Sequence, residues 1–219
     1  ESQGDQDERA EAHGAMVSKS ERRFHVPGKR FLGLLQRRPV ARSSALALSG
    51  RVLCAGFVGT VPPASLALPL ARGGLGGVIL FKRNFGGPED AGRLFAACQP
   101  TASGAAPALT CIDQEGGRVA RLGPPVVRLP PMRVLGAIDD IALTRRAGAA
   151  LGAQLAALGV SVDFAPVLDV DTNPEHPIIG DRSFGRTPEV VTRHGLAFTA
   201  GLQAAGVIPC GKHFPGHGD

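Results

Sequence analysis

Charged side chains of several types follow the short apolar runs of this sequence. Asp113 comes directly after one run, Lys212 and His213 closely follow another, and Arg121 and Arg182 lie in loops. A carboxylate accepts hydrogen bonds from neighbouring hydroxyls, and guanidinium and ammonium groups donate several each. Because charge-assisted hydrogen bonds are about twice as strong as neutral ones, this mixture predicts a site for a polyhydroxylated ligand such as a sugar.

Two other interpretations of these residues stay open. Asp113 and Glu115 could simply pair with Arg118 and Arg121 on the surface of a loop, where ion pairs contribute little. A phosphate site would need a glycine-rich turn that leads into a helix N-terminus. The glycine pair after Glu115 instead follows two acids that would repel an anion, so phosphate ranks below a sugar.

The remaining acids are interpreted as structural. Asp163 lies inside a predicted strand, which favours a buried and hydrogen-bonded carboxyl group. Asp169, Asp171 and Asp181 are expected to brace the long loop that ends at Arg182. We assign none of these acids to catalysis.

The histidines do not indicate a metal site. His213 and His217 are four residues apart, as zinc ligands on a helix would be, but Pro215 breaks any helix between them. His176 and His194 are interpreted as surface or loop residues. We therefore predict neither a metal nor another cofactor.

Five short apolar runs are predicted to be buried parallel strands, because each is four to nine residues long and helical patterns lie between them. They are Val52–Val58, Gly77–Phe81, Ala108–Ile112, Val160–Leu168 and Val207–Cys210.

Helix start signals lie between these runs. Proline followed by acids at Pro88 and at Pro188 predicts two helix N-termini. A third helix is predicted between Asp139 and Leu158, where apolar residues recur at intervals of three and four residues. Gly159 is predicted to end this helix.

The repeated strand–helix order predicts an α/β fold with a parallel sheet, either open or closed into a barrel. In both architectures ligands bind at the carboxyl ends of the strands, where the polar residues gather. A closed (β/α)8 TIM-type barrel needs roughly 250 residues. If this is such a barrel, about five of its eight units are present, in residues 51–219.

Composition and charge exclude several classes. A chain of 219 residues with 43% apolar and 20% charged residues is neither disordered throughout nor fibrous. The net charge of +5 is concentrated in residues 17–42, so no nucleic-acid partner is predicted, and residues 1–50 are interpreted as a poorly ordered basic leader. Glycines and prolines interrupt the apolar stretch from Val52 to Ala71, which argues against a membrane span. The four cysteines, none in a C-x-x-C pair, are expected to be buried reduced thiols.

Five sequence blocks together resemble the N-terminal domain of glycoside hydrolase family 3, and within it the bacterial β-N-acetylglucosaminidases. The most specific block reads Gly-Lys-His-Phe-Pro-Gly-His-Gly. The five are Gly77–Asn84, Ile112–Arg121, Phe164–Asp169, Ile179–Gly185 and Gly211–Gly218.

The resemblance implies a (β/α)8-type barrel and retaining hydrolysis of terminal β-linked N-acetylglucosamine, with a muropeptide as substrate, in a cytoplasmic and monomeric enzyme. It implies that five residues hold the sugar: Asp113, Arg121, Arg182, Lys212 and His213.

The same resemblance implies an acid–base Asp-x-His pair shortly after the last block and an aspartate nucleophile on a later strand. Neither position is in this chain, so we assign it no catalytic residue and expect it to be inactive by itself. A β-glucosidase of the same family and a carbohydrate-binding remnant without activity are the alternatives.

Overall fold

A computed structural model describes residues 45–173, 175 and 177–218 of the chain. Seven β-strands and six α-helices lie in this part. The strands are β1 (Cys54–Ala55), β2 (Gly77–Ile79), β3 (Leu109–Ile112), β4 (Gln114–Gly116), β5 (Val119–Ala120), β6 (Val162–Asp163) and β7 (Ile208–Pro209). The helices are α1 (Ala45–Arg51), α2 (Ala64–Ala71), α3 (Pro88–Ala97), α4 (Met132–Ile138), α5 (Ile141–Ala157) and α6 (Pro188–Ala204).

Five strands form one parallel sheet in the order β1-β2-β3-β6-β7. Each strand therefore lies beside the one that precedes it in the main sheet. A doubly wound open sheet would reverse this order at a switch point, whereas a barrel is wound in one direction. The predicted strands are confirmed in place and order, and each is shorter than its apolar run.

The predicted helix signals act at the helix N-termini. In α3, Pro88 occupies the first turn together with two acids. The side chain of Asp140 accepts a hydrogen bond from the backbone N of Leu143 at the start of α5, and Thr187 caps α6 in the same way. These caps satisfy backbone donors that the first helical turn leaves unpaired.

Helices α5 and α6 pack closely because glycines face the partner backbone. A Cβ at Gly148 would lie 2.5 Å from the carbonyl oxygen of Phe198, and one at Gly201 would lie 2.3 Å from that of Arg145. The contact buries His194, which is fully inaccessible in α6. The interpretation of His194 as a surface or loop residue is therefore wrong, because its position in the helical repeat faces α5.

The apolar core forms a single cluster on the helical side of the sheet. Val78, Leu80 and Ile112 from the strands pack there with residues of α3, α5 and α6. All four cysteines are free thiols, as predicted. Cys98 and Cys111 are buried and Cys210 is half-buried, but Cys54 is exposed, so the prediction of a buried thiol is wrong at Cys54. Among the described residues its strand, β1, pairs on one side only, which leaves the side chain uncovered.

Helix α1 crosses the predicted boundary at residue 50, and residues 1–44 of the predicted leader lie outside the described residues, as does His176. No helix in the described ranges is both long and apolar enough to cross a membrane.

Candidate functional site

A β-hairpin follows the central strand β3 and was not predicted from the sequence. β4 and β5 pair antiparallel, and Gly116 and Gly117 between them have φ values of 104° and 56°. Residues other than glycine rarely adopt this left-handed region, so the glycine pair makes the tight turn feasible. The hairpin folds the chain back over the end of β3.

The buried side chain of Gln114 fixes the return of this hairpin. Its Oε1 accepts hydrogen bonds from the backbone N of Arg121 (2.7 Å) and of Leu122 (2.9 Å), and its Nε2 donates to the carbonyl of Leu122 (3.1 Å). These three bonds hold Arg121 next to Asp113, with 3.5 Å between the nearest guanidinium and carboxylate atoms.

Lys212 links the end of β7 to the end of β3. Its Nζ donates to Oδ1 of Asp113 at 2.8 Å and also contacts Oε1 of Glu115. The ammonium group is largely buried between the two carboxylates. One cation thus joins both acids of the hairpin.

Arg182 makes a bidentate ion pair with Glu115. Its Nε and Nη2 donate to the two carboxylate oxygens at 2.9 and 2.8 Å, and the Glu115 side chain is only 2% exposed. The hydrogen bonds to Glu115 raise the pKa of the Arg182 guanidinium, because they favour its charged form. The sequence left open a pairing of Glu115 with the nearby Arg118 or Arg121, whereas its two partners lie far away in sequence.

Arg121 has more unused donor capacity than the other two cations of the site. Its contact with Asp113 is long, and its buried Nε has no hydrogen-bond partner within the protein. The guanidinium lies 5.9 Å from the ring centroid of Phe81. The Arg121 guanidinium is therefore the least hydrogen-bonded cation of the cluster.

Asp169 orients His213 and the loop beyond it. Its Oδ2 lies 2.6 Å from Nδ1 of His213, and its Oδ1 accepts from the backbone N of His213 and of His217. The carboxylate is buried, and the imidazole is about one-third exposed. Asp169 was expected to brace the loop that ends at Arg182. The structure shows instead that its side chain holds the loop that carries His213 and His217.

The other two acids do brace the loop that carries Arg182. Asp171 pairs with Arg133 at 2.7 Å and with Arg186 at 3.3 Å. Asp181 pairs with Arg118, which also donates to three carbonyl groups of the same loop. This part of the expectation is confirmed.

Asp163 is the buried structural acid that the sequence predicts. Its Oδ1 accepts from the backbone N of Gln114 at 2.9 Å, and the residue is fully inaccessible. Burial raises the pKa of this carboxyl well above its ordinary value, since desolvation disfavours the charged form. It supports the hairpin from beneath.

A groove of about 610 Å³ opens at this end of the sheet and is lined in part by Asp169, Lys212 and His213. Its far wall is the loop of residues 214–218, on which Phe214 is almost completely exposed. In the part of the chain that the structure describes, no three metal-ligating side chains converge.

The structure joins four of the five predicted residues in one network of ion pairs that includes Glu115. The fifth, His213, follows Lys212 in the chain and lies beside this network. Sequence reasoning missed the central roles of Glu115 and Gln114. The sequence signal for a hairpin was the Gly-Gly pair, which is typical of a tight β-turn. The charged residues 113, 115 and 121 flank this pair.

Charged side chains at the carboxyl ends of parallel strands, on a sheet wound in one direction, define a ligand-binding α/β barrel protein. The chain belongs to glycosyl hydrolase family 3, because the model of that family's N-terminal domain matches residues 58–219. This match confirms the resemblance and the barrel-type fold.

Named relatives agree with the family. The chain is 47% identical over 150 residues to a beta-hexosaminidase of Nitrosomonas eutropha. The aligned residues make up 66% of this chain and 42% of that protein. A glycoside hydrolase family 3 beta-N-acetylglucosaminidase from Paenibacillus sp. str. FPU-7 superimposes with a TM-score of 0.75 at 40% identity, over 81% of this chain and 34% of the other. NagZ from Neisseria gonorrhoeae in complex with N-trifluoroacetyl-D-glucosamine superimposes with a TM-score of 0.67 at 37% identity, over 76% and 50% of the two chains. The chain thus spans less than half the length of the curated relative it matches.

Proposed function

We propose that the protein containing this chain hydrolyses terminal β-linked N-acetylglucosamine with retention, and that this chain supplies the residues that hold the sugar. The observation that carries the proposal is the convergence of Asp113, Lys212 and Arg121 at the ends of β3 and β7, beside an open groove. The named relatives include a beta-hexosaminidase and a NagZ in complex with N-trifluoroacetyl-D-glucosamine.

The geometry suits a ligand with several hydroxyl groups. The Asp113 carboxylate can accept hydrogen bonds from neighbouring hydroxyls, while Arg121 and Lys212 donate from either side of it. Arg182 and His213 lie at the sides of the cluster, and we assign them to the same sugar site. Because protein partners hold Asp113, Arg182, Lys212 and His213 before a ligand arrives, little ordering of these four side chains is required on binding.

The bond-breaking groups of a retaining glycosidase are an acid–base group and a nucleophile. The resemblance matches none of the residues of this chain to either group, so we expect this chain to hold the sugar and to depend on further residues for cleavage. We accordingly predict that residues 51–219 alone release no nitrophenol from an aryl N-acetyl-β-glucosaminide. The protein from the complete reading frame should release it, and turnover by the 51–219 segment would show that a catalytic group lies within this chain.

Sugar specificity tests the family-level alternative. The protein from the complete reading frame is titrated calorimetrically with N-acetylglucosamine and with glucose, and assayed on the nitrophenyl β-glycoside of each. Preference for the N-acetylated sugar supports the proposal. Preference for glucose would indicate a β-glucosidase, and binding without turnover of either glycoside would indicate a carbohydrate-binding protein.

The finer assignment of a muropeptide substrate, a cytoplasmic location and a monomeric state is supported by the resemblance. Assay on purified muropeptides, fractionation of cells and sedimentation of the complete protein test these three points separately.

A further inference from the structure

Glu115 occupies the centre of the charged cluster, although neither the sequence motif nor the sugar assignment gives it a role. Its carboxylate receives two hydrogen bonds from Arg182 and a contact from Lys212, so all of its strong partners are cations. Two carboxylates pair with Lys212, and Glu115 is the less accessible of them, with a side chain 2% exposed against 17% for Asp113. A sugar hydroxyl would have to displace one of these cations to reach it.

Acids and bases of the cluster around Glu115 are similar in number. Asp163 lies beneath them with a pKa raised by burial, which favours its neutral form. His213 adds a titratable partner of Asp169. The other groups are three carboxylates and three cations: Asp113, Glu115, Asp169, Arg121, Arg182 and Lys212.

We infer that Glu115 is a positioning residue that locks Arg182 and Lys212 and cancels one of their charges, so that the site selects an uncharged sugar over an anionic one. This inference rests on the proposed function, because it concerns the same sugar site. Without the Glu115 charge the two cations would lose their fixed directions, and the cluster would carry one negative charge fewer. Directional donors that are free to move bind hydroxyls less well, whereas an unbalanced positive charge attracts anions at longer range.

The test uses Glu115→Gln, which keeps the shape of the side chain and removes its charge. Binding of N-acetylglucosamine and of N-acetylglucosamine 6-phosphate to the complete protein is measured by calorimetry, and a thermal melt checks folding. We expect affinity for the neutral sugar to fall about tenfold or more. The ratio of the two affinities should shift about tenfold toward the phosphorylated sugar.

Asp90→Asn is the matched control. It removes one negative charge from an ion pair with Arg93 on the exposed surface of α3, outside the candidate site. The affinity ratio should stay at its wild-type value in this variant. A shift as large as that of Glu115→Gln would mean that overall charge, rather than Glu115, sets the preference, and would overturn the inference.

Equal loss of affinity for both sugars in Glu115→Gln, or no loss for either, also overturns it, because a merely structural residue would not change the ratio. If this variant fails to fold, the double variant E115Q/R182Q removes both members of the ion pair and keeps the net charge. Arg182→Gln alone should shift the affinity ratio away from the phosphorylated sugar, and the added Glu115→Gln should return the ratio to its wild-type value. A ratio that the second substitution does not move contradicts the inference. A wild-type protein that binds neither sugar would refute the proposed function itself, before any variant is compared.

Discussion

Two networks of charged side chains in this protein use the same residue types and differ in burial. At the strand ends, Glu115 pairs with Arg182 and is 2% exposed. On the helical side, Asp139 at the end of α4 pairs with Arg193 and His194 of α6, and its side chain is 51% exposed. Both arginine–carboxylate pairs are bidentate.

Burial decides what each network does. An exposed pair is screened by water and contributes little to stability, so the Asp139 network serves mainly to join two helices. A buried pair loses much of its hydration, and breaking it by removing one partner leaves an uncompensated charge. The strand-end network is thus the one in which a single substitution should change ligand binding.

The largest expected effect is that of Asp113→Ala. Asp113 is proposed to accept hydrogen bonds from sugar hydroxyls, and hydrogen bonds to charged groups contribute about 1.5–3 kcal/mol each. Losing two of them should lower kcat/KM on an aryl N-acetyl-β-glucosaminide by a hundredfold or more.

Asp139→Asn is the control for this substitution, because asparagine tolerates the left-handed φ of residue 139, and it should leave kcat/KM unchanged. An unchanged kcat/KM in Asp113→Ala would remove Asp113 from the sugar site and would leave the two networks functionally equivalent.

The second effect concerns the two arginines. Arg182→Lys keeps the charge but loses the planar pair of donors that fits both oxygens of Glu115, and so the direction in which the cation points. We expect binding of N-acetylglucosamine to weaken about tenfold. Arg193→Lys, which makes the same change in the exposed network, should bind the sugar normally. Equal affinities of both variants for N-acetylglucosamine in calorimetric titration would show that Arg182 has only a structural role.

The third prediction concerns Asp163, buried below the hairpin. Its pKa is raised in the folded protein, so above the ordinary aspartate pKa the unfolded chain loses a proton that the folded chain keeps. The contribution of this group to stability is therefore fully present at low pH and is lost as the pH rises through the folded pKa. Asp163→Asn lacks this titration, because an amide does not ionise.

Thermal melts of the complete protein and of Asp163→Asn at a series of pH values test this sign. The melting temperature of the variant, relative to wild type, should rise from acid toward neutral pH. A difference that falls with pH, or does not change, would show that Asp163 is ionised in the folded protein.

Much of the fold was predictable because local signals and long-range packing agree. The proline-led starts of α3 and α6 and the five apolar runs each predicted an element that the structure contains. The sequence also placed Asp113 and Lys212 at strand ends that become neighbours. Helix α4 was missed because Pro131 at its start has no capping side chain and the seven-residue helix shows no full apolar repeat.

What the sequence could not predict was partner choice. Glu115 has Arg118 and Arg121 nearby in sequence, yet it pairs with Arg182, 67 residues away, because the hairpin turns its side chain toward the loop after β6. His194 was misassigned because a histidine is usually polar surface, whereas the α5–α6 contact places its Nδ1 2.8 Å from the Thr144 hydroxyl. The Glu115 contact leaves no periodic signal, whereas His194 lies on the same buried face of α6 as Val191 and Phe198, so the helical repeat could have placed it.

The smallest expected effect is that of Asp139→Asn in the exposed network. Asp139 has a left-handed φ of 56°, which asparagine tolerates well, so the substitution removes charge with little backbone strain. Hydrogen bonds from Arg193 and then His194 lower the pKa of this carboxyl. Its contribution to stability is therefore present above the ordinary aspartate pKa and is lost as the pH falls through the lower folded value.

The melting temperature of Asp139→Asn should accordingly lie slightly below that of wild type at neutral pH, and the gap should close in acid and in high salt. Sugar affinity should not change. The ring of His194 stacks on Phe184, with centroids 5.6 Å apart, and Phe184 lies two residues after Arg182. Weaker sugar binding in Asp139→Asn would therefore mean that the exposed network acts on Arg182 through this stack, and the two networks would have to be treated as one.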